Sequence, residues 1–136
     1  TVYLICNAKP LLAVVSDVLI KVNTGPEVIT GSTRMKAGTA TKMVLNMIST
    51  ATMVRLGKVY GNLMVDLMAV NDKLLDRGTR IIVKLTDVDY KTAKLKLLES
   101  DKSVKTAVVM IKKNYSKADA IVLLKKNSGS LRKLIE

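Results

Sequence analysis

Between Lys42 and Arg55 lie twelve uncharged residues, MVLNMISTATMV, and they restrict the folds open to this chain more than any other feature. A helix that spans a bilayer needs about 20 apolar residues, so this run is too short for a membrane segment, and no membrane association is expected. Extended back to Ala37, the stretch carries Ala40, Met43, Val44, Leu45, Met47, Ile48, Ala51, Met53 and Val54. These positions go almost completely round a helix. Such a helix has to be covered on most sides. The pattern predicts a helix over 37–54, packed against a sheet and against a partner subunit.

Two segments ahead of it supply strands. TVYLICN (1–7) and VLIKVN (18–23) are β-branched and apolar, and PLLAVVSD (10–17) reads as a short turn or helix between them. Strands about ten residues apart, followed by a long helix, give an α/β architecture with parallel strands. Two strands do not make a stable sheet, and a chain that opens inside a strand leaves an edge to be paired. The sequence is therefore expected to be part of a longer protein. No signal peptide pattern opens it. Cys6 is the lone cysteine. It reads as a buried strand residue, and cysteine usage of this kind fits a reducing, cytoplasmic setting.

The segment that leads into the helix, TGPEVITGSTRMKAGTATK (24–42), is of a different character. Gly25, Gly31 and Gly38 let the main chain come close to a ligand. Ser32 and Thr33 offer hydroxyls, Lys36 a point charge and Arg34 a two-pronged donor. The start of the helix adds backbone amides and a partial positive charge. Together these suit a phosphate or carboxylate. Equally, Ser, Thr and Gly ahead of a helix serve as capping and turn residues, and both readings stand. Glu27, the one acid in the segment, is either a general base or sugar-hydroxyl ligand, or an exposed turn carboxylate. The glycine spacing is not that of a P-loop.

Beyond the long helix, Gly57 and Gly61 mark either a close backbone approach or a helix break. NLMVDLMAVNDKLLDRGTRIIVKL (62–85) reads as further helix, with Gly78 a weak point. Past Asp87 the chain turns to short amphipathic helices. Val104, Ala107, Val108 and Ile111 share one face, Leu131, Leu134 and Ile135 begin the same spacing, and Ser116 with Asp119 forms a helix-start pair. A bundle of three or four helices with lysines outside is expected.

The net charge of +12 is uneven. Residues 1–72 hold seven basic against four acidic side chains, and 73–136 sixteen against seven. The composition thus steps near position 72, giving domains 1–72 and 87–136 joined by a connecting helix over 73–86. Lysine dominates the basic half, no basic run exceeds two residues, and Tyr90 and Tyr115 are its only aromatics. Base stacking and bidentate readout are poorly supplied, so a solvated lysine surface is expected and no nucleic acid partner. Histidine is absent. Zinc sites and Cys/His nucleophiles are thereby disfavoured, and acid–base chemistry falls to Glu, Asp, Lys or Tyr. Neither metal nor cofactor is expected.

GPEVITGSTRMKAGTATKMVLNMISTATMVRLGKVYGNLMVDL (25–67) resembles the signature segment of the N-acetylmuramic acid 6-phosphate etherases, members of the sugar isomerase (SIS) domain superfamily. The likeness runs from about Asn23 to Leu75 and more loosely beyond. The resemblance implies the C-terminal part of a doubly wound α/β SIS domain with parallel strands, followed by a small α-helical, ubiquitin-associated-like (UBA-like) bundle. It also implies a cytoplasmic homodimer that needs no metal and cleaves the D-lactyl ether of N-acetylmuramic acid 6-phosphate in cell-wall recycling. In that family lactate is eliminated and water added, with glutamates as acid and base. Those glutamates and the phosphate-cradling loop belong to the first half of the domain, so no catalytic residue is carried over here. Ser32, Thr33, Arg34 and Lys36 match positions expected to line the sugar-phosphate site. Glu27 lies within the matched GPEV, with no catalytic role assigned. The alternative is a non-catalytic SIS-domain sugar-phosphate sensor, resembling the mammalian glucokinase regulatory protein.

Overall fold

Parallel pairing of two short strands begins the fold. In the computed structural model, which describes residues 1–6 and 15–136, β1 (Val2–Cys6) lies alongside β2 (Val18–Val22), with Val2 opposite Val18 and Cys6 opposite Val22. Most of the expected PLLAVVSD turn or helix lies outside the described residues. The helix α1 follows over Lys36–Arg55, close to the span its apolar run predicts. Cys6 is half-buried, its Sγ 3.3 Å from the Thr41 Oγ1 of α1.

Gly57 ends α1. The Lys58 amide bonds back to the Met53 carbonyl and the Gly57 amide to that of Val54, a Schellman motif with Gly57 at φ +66°. A left-handed backbone of this kind favours glycine, which supports the helix-break reading. A Cβ here would stand 3.3 Å from the Ser130 Cα, so the close backbone approach holds as well. Next comes an antiparallel hairpin, β3 (Val59–Tyr60) with β4 (Leu63–Met64). The helix expected from position 62 is thus displaced. Residues 63–64 are strand, and α2 starts at Asp72, where Asn71 Oδ1 accepts the Leu74 amide. Hairpin pairing at one end and the Asn71 cap at the other leave no room for helix between them.

The rest is helical: α2 (Asp72–Thr86), α3 (Tyr90–Glu99), α4 (Val104–Lys113), α5 (Lys117–Lys126) and the single turn α6 (Arg132–Ile135). Side-chain caps from Asp89, Ser103 and Ser116 start α3, α4 and α5. The expected Ser116–Asp119 pair closes at 2.6 Å. Four helices follow Asp87, and α4 is the central one. Residues 104–110 are all buried, and α4 packs against α2, α3, α5 and α6.

The chain divides into two compact units, Thr1–Ala51 and Thr52–Glu136. The second unit holds the core cluster, which includes Val65, Ile82, Leu97, Val108, Leu124 and Leu131. Since Ile81 and Ile82 belong to that cluster, α2 is an integral member of the bundle. One lysine departs from the expected outer surface. Lys105 is buried, donating to the Gly129 carbonyl at 2.9 Å and pairing with Asp66 at 3.0 Å. Asp66 also pairs with Lys58 at 2.9 Å. Burial pushes the Asp66 carboxyl upward, but hydrogen bonds from Lys58 and Lys105 outweigh it and hold the pKa below the usual value.

α1 contradicts the expectation of a covered helix as far as this chain goes. Only Ala37 is buried, whereas Met43, Leu45, Met47, Ile48, Met53 and Val54 are exposed.

Candidate functional site

The segment between β2 and α1 is organised by Glu27. Its Oε2 accepts the Lys36 amide at 2.9 Å and its Oε1 the Ala37 amide at 3.0 Å. The carboxylate therefore occupies the first free amides of α1, where the helix dipole favours negative charge. Those amides, offered to an external anion by the sequence reading, are taken by the chain itself. Hydrogen bonds from Ala37 and Lys36 hold Glu27 below the ordinary carboxylate pKa, so it is ionised near neutrality. A capped carboxylate of lowered pKa is a weak proton acceptor, and in this chain its geometry is that of a cap.

Lys36 turns back the other way. Its Nζ donates to the Pro26 carbonyl at 2.9 Å, tying the GPE turn to the first residue of α1. Glu27 and Lys36 are thus brought together by three hydrogen bonds over a sequence gap of nine or ten residues. Between them the chain makes a tight excursion. The Ser32 amide bonds to the Ile29 carbonyl, the Met35 amide to that of Ser32, and the Gly38 amide to that of Thr33 at 2.8 Å. Gly31 sits at φ +79°, a conformation that a side chain would strain. Ser32 is half-buried, while Thr33, Arg34 and Lys36 are exposed. Arg34 has no carboxylate partner among the described residues.

A shallow groove of about 570 Å³ runs beside this turn, lined by Thr24, Met35, Lys36, Thr39, Ala40 and Met43. Of the five residues singled out in the sequence, Lys36 alone lines it. Ser32, Thr33 and Arg34 sit on the excursion, and Glu27 beneath the helix start. Thr24 and Thr39 were missed, although both are hydroxyl residues within the segment that drew notice. Lys36 combined with these two hydroxyls over an apolar floor could hold an anionic group attached to a carbon body. Among the described residues no cluster of three His, Cys, Asp or Glu side chains is placed to hold a metal ion. No helix among them is long and apolar enough to cross a membrane.

No protein-family profile matches the chain. Individual relatives do. The chain is 52% identical to an N-acetylmuramic acid 6-phosphate etherase of Mycolicibacterium smegmatis over 135 residues, 99% of this chain and 45% of the relative. It is 52% identical over 134 residues to the protein of that name from Pseudothermotoga lettingae, covering 98% of this chain and 44% of the relative. With the Staphylococcus saprophyticus protein of that name, identity is 46% over 136 residues, 100% of this chain and 46% of the relative. The chain spans about half the length of the curated relatives it matches.

Proposed function

We propose that this chain, which belongs by sequence to the N-acetylmuramic acid 6-phosphate etherase family, is the C-terminal part of a lyase of cell-wall recycling. The whole protein cleaves the D-lactyl ether of N-acetylmuramic acid 6-phosphate, giving N-acetylglucosamine 6-phosphate and D-lactate. One observation carries this reading: identity of about half the residues, sustained along nearly the entire chain. Residues 1–72 are then the later part of a doubly wound SIS domain, and residues from 87 onward a UBA-like bundle, with 73–86 the connecting helix, which also packs within that bundle. The enzyme works as a cytoplasmic homodimer.

In this reading Ser32, Thr33, Arg34, Lys36 and Glu27 belong to the sugar-phosphate site. Glu27 does so by fixing the start of α1, which sets the position of the Lys36 ammonium against Pro26. A phosphate that displaced the Pro26 carbonyl would gain a charge-assisted hydrogen bond from Lys36. Arg34, free of carboxylate partners among the described residues, supplies a second cation.

The test is to incubate the full-length protein with N-acetylmuramic acid 6-phosphate and assay D-lactate. Release of D-lactate is expected. Lys36→Ala in that protein is expected to weaken substrate binding by about 1–3 kcal/mol, the range for a lost charged hydrogen bond. Absence of lactate with the ligand still bound would overturn the lyase in favour of a sensor.

A further inference from the structure

The second unit carries a cationic groove that the etherase reading does not use. Lys73, Arg77, Arg80 and Lys84 recur at intervals of four, three and four residues along α2, and all four line a cavity of about 420 Å³ against the β3–β4 hairpin. Residues at such intervals share one helix face. The floor between them is apolar, formed by Leu63 and Met64 of β4 and by Ile81. Asn62 adds an amide at the rim.

Asp76 is the one carboxylate in the lining, and it is already engaged. It accepts from Arg80 Nε at 2.8 Å and from the Tyr90 hydroxyl at 2.9 Å. Lys73, Arg77 and Lys84 have no carboxylate partner among the described residues. Four cations against one acid leave three positive charges around the groove.

Helix stability does not ask for this arrangement. Like charges three or four residues apart repel, and cations in the first turns of a helix oppose its dipole. Lys73 is the second residue of α2 and Arg77 lies one turn on. Core packing does not ask for it either, because the three unpaired side chains are exposed. The cavity is within the range of about 300–1,000 Å³ typical of small-molecule sites.

From the combination of unpaired cations, guanidinium forks and an apolar floor, we propose that this groove binds a phosphate monoester on a sugar-sized body. The phosphate lies between Lys73 and Arg77, which meet it as point charge and two-pronged donor. The carbon body covers Leu63, Met64 and Ile81. The site shares no residue with the Ser32–Lys36 segment and does not depend on the etherase reading.

The experiment is a titration of this chain with glucose 6-phosphate, inorganic phosphate and unphosphorylated glucose, followed through backbone amide NMR shifts. Glucose 6-phosphate is expected to move the amides of Asn62–Met64 and Lys73–Lys84, and to bind more tightly than either of the others. The double variant Lys73→Gln/Arg77→Gln is expected to bind about tenfold more weakly or worse, the scale of a lost charged hydrogen bond. Unchanged α4 amides would show that it stays folded, and the control Lys112→Gln/Lys113→Gln is expected to bind as before. Affinity unchanged in the Lys73/Arg77 variant, equal affinity for inorganic phosphate, or shifts spread evenly over the lysine surfaces would each overturn the assignment. None of these results bears on D-lactate release by the full-length protein, so the two readings fail separately.

Discussion

At the scale of single residues, Glu27 shows what local spacing rules reach and what they miss. A capping box places its acid three residues into the helix, whereas Glu27 comes nine residues before Lys36 and meets it only once the excursion folds back. The sequence marks Glu27 as the sole acid in a cationic segment, but its partners are backbone amides, which have no residue signature. Its pKa is lowered in the folded chain. The cap therefore contributes stability that is fully present above the unfolded carboxyl pKa and is lost as pH falls through the lower folded value. Exchange protection of the Lys36 and Ala37 amides is expected to hold from neutral pH to below the ordinary carboxyl pKa of 4.5 and then to fall. Glu27→Gln is expected to speed their exchange at neutral pH while leaving α4 unchanged. Equal protection in the variant would remove Glu27 as the cap.

Among the elements, those whose cause is local were legible. The apolar run gave α1 within one residue at each end, Lys36–Arg55 against an expected 37–54, and Ser116 gave the start of α5. Residues 62–71 were not legible. Their apolar pattern suits strand or helix alike, and hairpin pairing decided it. Gly78 was read as a weak point, yet its meaning is tertiary. A Cβ at that position would stand 3.1 Å from Leu97 Cδ2 and 3.1 Å from Val104 Cγ2, both on fully buried side chains. The glycine lets α2 approach α3 and α4. Gly78→Ala would gain about 1 kcal/mol of helix propensity, but overpacking a filled core costs about 1–3 kcal/mol. Because Leu97 and Val104 are enclosed, the second effect should win, with a net loss of about 1 kcal/mol in urea unfolding. A gain in stability would show that those two side chains have room to shift.

On the scale of the molecule, burial is divided very unevenly. The core cluster belongs to the second unit, and among the described residues of the first the only buried hydrophobic residue is Ala37. The apolar run of α1 predicts a covered helix, and side chains within the described residues do not supply the cover. Met43 is 58% exposed and Met47 59%, an unusual state for consecutive turns of an apolar helix. The chain matches 45% of a relative's length, and on the proposed reading the source of cover is the remainder of a longer protein, or its second copy. Methionine oxidation reads this directly, since exposed thioethers convert to sulfoxide under peroxide and enclosed ones are shielded. In the isolated 136-residue chain Met43 and Met47 are expected to oxidise quickly, and Met110, which is buried in α4, slowly. In the full-length protein Met43 and Met47 should slow toward the rate of Met110, as followed by peptide mass spectrometry. If they oxidise equally fast in both, α1 keeps its apolar side in water in the whole protein, and the α/β layer has to be stabilised through β1 and β2 alone.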